Sequence, residues 1–250
     1  MIAALATEKS ETGKQVLLQL IENNRIAAKN QIPCCQDTGM AVLYVEYGDK
    51  VIIAGGSFSD SVTEGVRQAY VEGCLRKSIV SDPVFDRNNT NDNTPAVIHT
   101  EIVPGTEIKI NAGGKGFGSE NMSAIKMLTP SSGIKGIKDF VLETVYKSGP
   151  NPCPPIVVGV GIGGTFEKAA LLSKKALYRD IRTCHPDERY ADLEKALLSN
   201  INKMGFGPGG FGGTVTALGV NIETYPTHIA GLPVAVNICC HACRHKSVVI

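Results

Sequence analysis

The stretch IVVGVGIGGTFEKAALLSKKALYR (156–179) decides the fold class. Ile156 to Ile162 is a continuous apolar run of strand length, which reads as a strand buried on both faces. Two glycines follow, and Thr165 to Arg179 has the spacing of an amphipathic helix. The glycines 159, 161 and 164 fit G-x-G-x-x-G, the form of a dinucleotide-binding turn. Such a turn calls for an acidic residue at the end of a second strand about 20 residues on. The sequence there, YRDIRTCHPDERY (178–190), has acids but no apolar strand to carry them. The glycines are therefore expected to let the strand pack closely on its helix, and a nucleotide-binding oxidoreductase is the weaker alternative.

Working outward, Ser10–Asn30 has a helical apolar stripe on Val16, Leu17, Leu20 and Ile21, giving a helical lobe over residues 1–30. Met40–Tyr47 and Val51–Ala54 are β-rich runs separated by Gly48-Asp49, which predicts a hairpin. Ser61–Ile79 reads as a helix, and Ser81–Thr94, crowded with Asp and Asn, as a long loop. Ala96–Val103 and Glu107–Ala112 are two strands about a Pro104-Gly105 turn. A glycine-rich loop, 113–118, leads into a helix near Ser119. Ile134–Lys147 and Asp187–Met204 are helical, Gly205–Gly213 is a second glycine-rich loop, and Thr214–Glu223 and Pro233–Cys239 are closing strands. Hairpins mixed with long helices predict one α+β domain over 1–250, a small mixed or antiparallel sheet surrounded by helices.

The chain has 250 residues, 43% of them hydrophobic and 20% charged, with a formal net charge of +1. That length supports a sizeable core, and the near-neutral balance gives no electrostatic footprint for nucleic acid or an anionic membrane. No run approaches the roughly 20 apolar residues needed to span a bilayer. The first residues, MIAALATEKSETGK, lack the basic start and apolar stretch of a secretory signal, so the chain reads as cytosolic.

Eight cysteines are then informative. A chain this rich in core has no need of disulfide staples, and in a reducing compartment cysteines point to metal ligation, catalysis or burial. Cys74 and Cys184 stand alone and read as bystanders. The rest fall in three places, Cys34–Cys35, Cys153, and Cys239, Cys240 and Cys243, each where a loop meets a regular element. Cys153 has no C-x-x-C partner, which disfavours a zinc ribbon of two paired knuckles. One ligand from each place would give three thiolates, and a 4Fe–4S cluster so held keeps one iron free to act as a Lewis acid. Zinc, chelated for example by C-H-A-C (240–243), and plain structural thiols remain open on spacing alone.

Six strings carry a more specific signal: PCCQDTG (33–39), GGKGFGSEN (113–121), NPCPP (151–155), GVGIGGTFEKA (159–169), GFGPGGFGGTVTALGV (205–220) and THIAGLPVAVNICCHACRHK (227–246). In this order, over nearly the whole chain, they resemble the alpha-type subunit of the class I fumarases and L-tartrate dehydratases, the iron–sulfur hydro-lyases. The resemblance implies a 4Fe–4S cluster on Cys35, Cys153 and Cys240, with Cys34, Cys239 and Cys243 as additions to the usual pattern. It implies substrate contacts from Gln36, Asp37, Arg87 and the backbone of the 113–118 loop (Gly116, Gly118), with Asp37 also taking or relaying a proton.

Each role has a chemical rationale. Gln36 can hydrogen-bond a carboxylate or hydroxyl, Arg87 offers a bidentate fork, and glycine amides at a helix start can bind an anion. The plainer readings are that Asp37-Thr38-Gly39 is a simple turn, Arg87 a solvated loop charge, and His241 and His245 surface residues without a catalytic role. The resemblance further implies a hetero-oligomer in which a beta-type subunit completes the site for a small dicarboxylate: fumarate/malate first, tartrate next. A non-enzymatic iron–sulfur or redox sensor using the surplus cysteines is the remaining alternative. The clustered Gln36, Asp37 and two glycine loops speak against it.

Overall fold

Strand β5, Ile156–Gly163, is buried along its whole length. The structure, a computed structural model, describes residues 1–250. The side chains of β5 alternate in two ways. Ile156, Val158, Val160 and Ile162 enter the largest apolar core together with Ile137, Phe140, Val141 and Val145 of α5 (Gly133–Ser148) and Leu193, Leu197 and Ile201 of α7 (Glu188–Asn202). The other face carries Gly159 and Gly161 against α6 (Phe166–Ala176). A Cβ at Gly159 would lie 2.0 Å from the Ser173 carbonyl oxygen, and one at Gly161 2.1 Å from that of Ala169. Close packing is what these glycines provide, as their sequence suggested. The first two glycines of G-x-G-x-x-G are strand residues, with helix backbone where a phosphate would have to approach, so the fingerprint's geometry is not present.

The chain divides into two compact units, Met1–Ile26 with Gly118–Cys243, and Ala27–Phe117 with Arg244–Ile250. The larger unit begins with α1 (Ile2–Thr7) and the start of α2 (Glu11–Asn30). Its sheet is built from β4 (Ala124–Leu128), β5, β6 (Ala217–Tyr225) and β7 (Leu232–Cys239), in the order β4-β7-β5-β6. The β5–β6 pair is parallel, and β7 is antiparallel to both β4 and β5. Short α4 (Phe117–Glu120) precedes β4. The ends of α5 and α7 follow capping chemistry. Asp187 accepts from the Arg189 amide at the start of α7 (2.9 Å), and Gly149, at φ 53°, closes α5.

The smaller unit contains α3 (Phe58–Glu72), opened by Ser57 capping the Asp60 amide, and a sheet of order β2-β1-β3-β8. Its strands are β1 (Met40–Gly48), β2 (Val97–Val103), β3 (Ile108–Lys115) and β8 (His245–Val249). Ala41, Leu43 and Val45 on one face of β1 pack with Tyr70 of α3 and Ile108 of β3.

Both sheets are mixed and small, and helices flank them, so the α+β class holds. Two expected hairpins do not form. Val51–Ala54 is not a strand; Val51 and Ile53 join the apolar cluster from a loop. Both hydrogen-bonding sides of β1 are already occupied, by β2 in parallel and β3 antiparallel, so no edge is free. The turn at Gly48 instead bonds to the other turn, with the Asp49 amide on the Val103 carbonyl (2.8 Å) and the Lys50 amide on that of Gly105 (3.0 Å). For the same reason β2 and β3 do not pair with each other: β1 lies between them. Helix α3 runs earlier than the expected 61–79 and stops at Gly73, after which Cys74 takes φ 50°. Strands β4 and β8 were not anticipated.

Candidate functional site

In the larger unit, sheet register gathers three loops. Val157 pairs with Cys239 and Ile156 with Ala217, so the start of β5, the start of β6 and the end of β7 share one end of the sheet. Cys153 lies three residues before β5, the 205–213 glycine loop precedes β6, and Cys240 directly follows β7. Cys153 is exposed and Cys240 half-buried. The Cys153 backbone sits at φ 55°, a left-handed conformation that a non-glycine residue adopts only when its surroundings hold it. Three bonds hold this turn. The Cys153 amide donates to the Pro150 carbonyl (3.1 Å), the Gly209 amide to that of Pro154 (2.7 Å), and His241 Nδ1 to that of Cys153 (3.1 Å). Because a carbonyl only accepts, the last bond places the proton of a neutral His241 on Nδ1. His241, read from sequence as a surface residue, therefore ties the Cys240 segment to the Cys153 turn.

Cys239 is buried and packs with Val157 and Leu177, beside Cys243. Burial raises the pKa of the Tyr178 phenol, and the neighbouring Cys243, Cys239 and Glu120 raise it further. This group stays protonated through the physiological range and adds no charge near the thiols.

In the smaller unit, Cys35, Gln36 and Asp37 occupy the loop between α2 and β1. The Cys35 thiol donates to Gln36 Oε1 (3.4 Å). Asp37 Oδ1 accepts from the Gly39 amide (3.0 Å), so the simple-turn reading is correct as far as it goes. Its Oδ2 also accepts from the Phe117 amide (2.9 Å), and a Cβ on Gly116 would come within 3.1 Å of that oxygen. Thus PCCQDTG and GGKGFG, 80 residues apart in sequence, meet at one carboxylate. The loop's carbonyls are also held. Arg244 Nη2 donates to that of Asp37, Tyr70 Oη to those of Thr38 (3.0 Å) and Gly39 (2.9 Å), and Asn93 Nδ2 to that of Gly39 (3.1 Å). Asn93 is fully buried at φ 63°, and its Oδ1 accepts from the Ser78 amide (2.7 Å).

Arg87 is exposed in the Asn-rich loop at φ 43°, its guanidinium donating to the Pro83 carbonyl. Gly118 falls in the larger unit, and Gly116 in the smaller. Tyr70, Asn93, Arg244 and Glu8 (described below) were not found from sequence. Of these only Arg244 lies within the family-like segment 227–246, and nothing in its spacing marks it.

None of the eight cysteines is in a disulfide, and thiol sulfur is the soft donor that iron–sulfur groups take. Within neither unit do three or more His, Cys, Asp or Glu side chains gather into a group able to hold a metal ion. Cys153 and Cys240 belong to the larger unit and Cys35 to the smaller.

A family model described as fumarate hydratase (fumerase) matches residues 1–249. The chain belongs to this fumarase family. It is 46% identical over 245 residues, 96% of this chain and 86% of the other, to a putative L(+)-tartrate dehydratase subunit alpha of Methanocaldococcus jannaschii. It is 34% identical over 249 residues, 97% of this chain and 80% of the other, to the L(+)-tartrate dehydratase subunit alpha of Escherichia coli K12. The expected resemblance to this family is thereby established. No helix is long and apolar enough to cross a membrane.

Proposed function

We propose that this chain is the alpha-type subunit of an iron–sulfur hydro-lyase that reversibly hydrates or dehydrates a small hydroxy-dicarboxylate. Fumarate/malate is the first substrate pair to consider and tartrate the second, and a beta-type subunit completes the site. The observation that carries the reading is the Cys153 turn. A thiol is held there on left-handed backbone by bonds from both the Cys240 segment and the second glycine loop. Non-glycine residues held in such conformations cluster at functional sites.

Cys35, Cys153 and Cys240 would hold a 4Fe–4S cluster, which when bound supplies an iron as Lewis acid for the carboxylate and hydroxyl of the substrate. The remaining roles belong to the chain's own groups. Asp37 has each carboxylate oxygen fixed by a backbone amide, which positions the group, and it would take or relay the proton during addition or loss of water. Gln36 follows Cys35 directly and offers an amide to a substrate oxygen. Arg87 supplies a guanidinium for the remote carboxylate once it leaves the Pro83 carbonyl. Glycine at 116 leaves Asp37 Oδ2 uncrowded, where a Cβ would come within 3.1 Å, and Gly116 and Gly118 would contact the substrate. The nucleotide-binding alternative has no support, because helix α6 occupies the glycine face of β5.

The test is anaerobic co-expression with the beta-type partner, followed by assays on malate, fumarate and L-tartrate. A brown complex active on at least one substrate is expected, and Cys153→Ser should lose both iron and turnover. A colourless, inactive complex, or full activity in Cys153→Ser, would sink the proposal.

A further inference from the structure

Glu8 lies between α1 and α2 and is only 3% exposed. Its carboxylate accepts from the amides of Lys9 (2.8 Å), Ser10 (2.8 Å), Thr214 (2.9 Å) and Val215 (2.8 Å), and from the Thr214 hydroxyl (3.2 Å). Two glycines make room for it. A Cβ on Gly213, at φ 138°, would come within 2.7 Å of Glu8 Oε1, and one on Gly13 within 2.9 Å of Glu8 Cδ. Backbone N–H groups converging in this way form a cup for an anion, and here the chain fills the cup with its own carboxylate. Burial opposes ionisation of Glu8, but its bonds from the Ser10, Thr214, Val215 and Lys9 amides outweigh that and hold its pKa below the usual range.

What Glu8 grips is the far end of the second glycine loop. Within that loop the Gly212 amide donates to the Phe206 carbonyl (2.8 Å), and the Gly207 amide to Thr216 Oγ1 (3.2 Å). The loop reaches the Cys153 turn through the Gly209 amide on the Pro154 carbonyl (2.7 Å). A Cβ on Gly210 would lie 2.4 Å from Pro150 Cβ. Pro150 in turn accepts from the Cys153 amide. With left-handed backbone at Gly205, Gly207, Gly209, Gly210, Gly212 and Gly213, the loop has little conformational preference of its own. Its shape must come from anchors, and Glu8 is the charged one.

We propose that Glu8 is a positioning residue for Cys153. It pins the 205–215 segment, and that segment buttresses the turn that aims the thiol. The inference deepens the hydro-lyase reading, since it matters to activity only if Cys153 is a ligand.

It is tested on the full-length chain without iron, under reducing conditions. Iodoacetamide alkylation of Cys153 is timed by peptide mass spectrometry against Cys184, another exposed thiol of the same unit. Glu8→Gln places an amide N–H₂ against backbone donors. It should change the Cys153 rate relative to Cys184 by about tenfold, the factor that about 1.4 kcal/mol of lost charged hydrogen bonding gives. Glu8→Asp should fall between Gln and the wild type.

An unchanged Cys153 rate in Glu8→Gln overturns the proposal, whatever happens to overall stability. Should that variant not fold, native-state hydrogen exchange of the unsubstituted chain decides. The Gly209, Thr214 and Val215 amides opening as one unit supports the linkage, and separate opening refutes it. Because these readouts need no cluster, their failure is distinct from that of the cluster reading, which iron content of Cys153→Ser reports.

Discussion

Asp37 shows how much of a side chain's chemistry is set by what holds its backbone. Both carboxylate oxygens are spoken for by amides, and the carbonyls of Asp37, Thr38 and Gly39 are held by Arg244, Tyr70 and Asn93. Asp37→Asn keeps the size but turns one donor against a donor and removes the proton-accepting group. Turnover of the partnered enzyme should fall by about 100-fold or more, the usual worth of a placed acid–base group. Steady-state kinetics on the preferred substrate checks this, and an unaltered kcat would exclude the role.

Glu8 makes a second residue-level prediction. Its ionised form is favoured in the folded state, so the stability it contributes is present above the ordinary Glu pKa of about 4.5. That contribution is lost as pH falls through the lower folded value. The gap in urea midpoint between wild type and Glu8→Gln should therefore be wide at pH 7 and shrink steadily below about pH 4.5. A gap independent of pH would show that the charge does not matter.

These polar anchors were illegible in the sequence for a physical reason. Tyr70 lies 31 residues from Gly39, Glu8 lies 206 from Thr214 and Arg244 lies 207 from Asp37. A side chain bonded to distant backbone leaves no period and no local pattern. Cysteine clusters, by contrast, can be seen in the sequence whatever they do, because the residue type alone marks them.

At the scale of elements, legibility followed burial. Strand β5 and helices α5, α6 and α7 were readable because buried faces impose a continuous apolar run or a helical stripe. Strand β4 is a sheet edge whose residues are all half-buried or exposed, and all five residues of β8 are exposed. Neither has a face that the sequence must mark. The failed hairpins have a different origin. The turn residues at Gly48-Asp49 and Pro104-Gly105 were read correctly as turns, but pairing is decided by which strand fills each side of β1. The interlock of β5 and α6 gives the element-scale prediction. Gly161→Ala puts a methyl against the fixed backbone oxygen of Ala169, which no rotamer change relieves. The cost should be about 3 kcal/mol or more, read as a lower urea midpoint. A midpoint equal to wild type would mean that the helix can withdraw freely.

For the whole molecule, the division into units is not a division of the sequence into two pieces. Each unit takes residues from both halves of the chain, and the smaller regains the polypeptide only at Arg244. Removing Arg244–Ile250 deletes β8 and the guanidinium on the Asp37 carbonyl while leaving the larger unit's residues complete. Limited proteolysis of such a truncation should cut first within 27–117, with the 118–243 region surviving longer. Even cleavage across both would show that the two units do not differ in resistance once β8 is gone.

Strand β8 has one more consequence, for the order of events at the ribosome. Its partner on β3, Asn111, is synthesised 136 residues before Ser247. At translation rates of roughly 5–20 residues per second, that interval is of the order of ten seconds. Throughout it the nascent smaller unit exposes the outer edge of β3, with unpaired amides and carbonyls, while the larger unit is still being made. The chain therefore has a long window in which a chaperone or a neighbouring nascent chain can reach that edge, and it closes only when the segment following the last cysteine emerges.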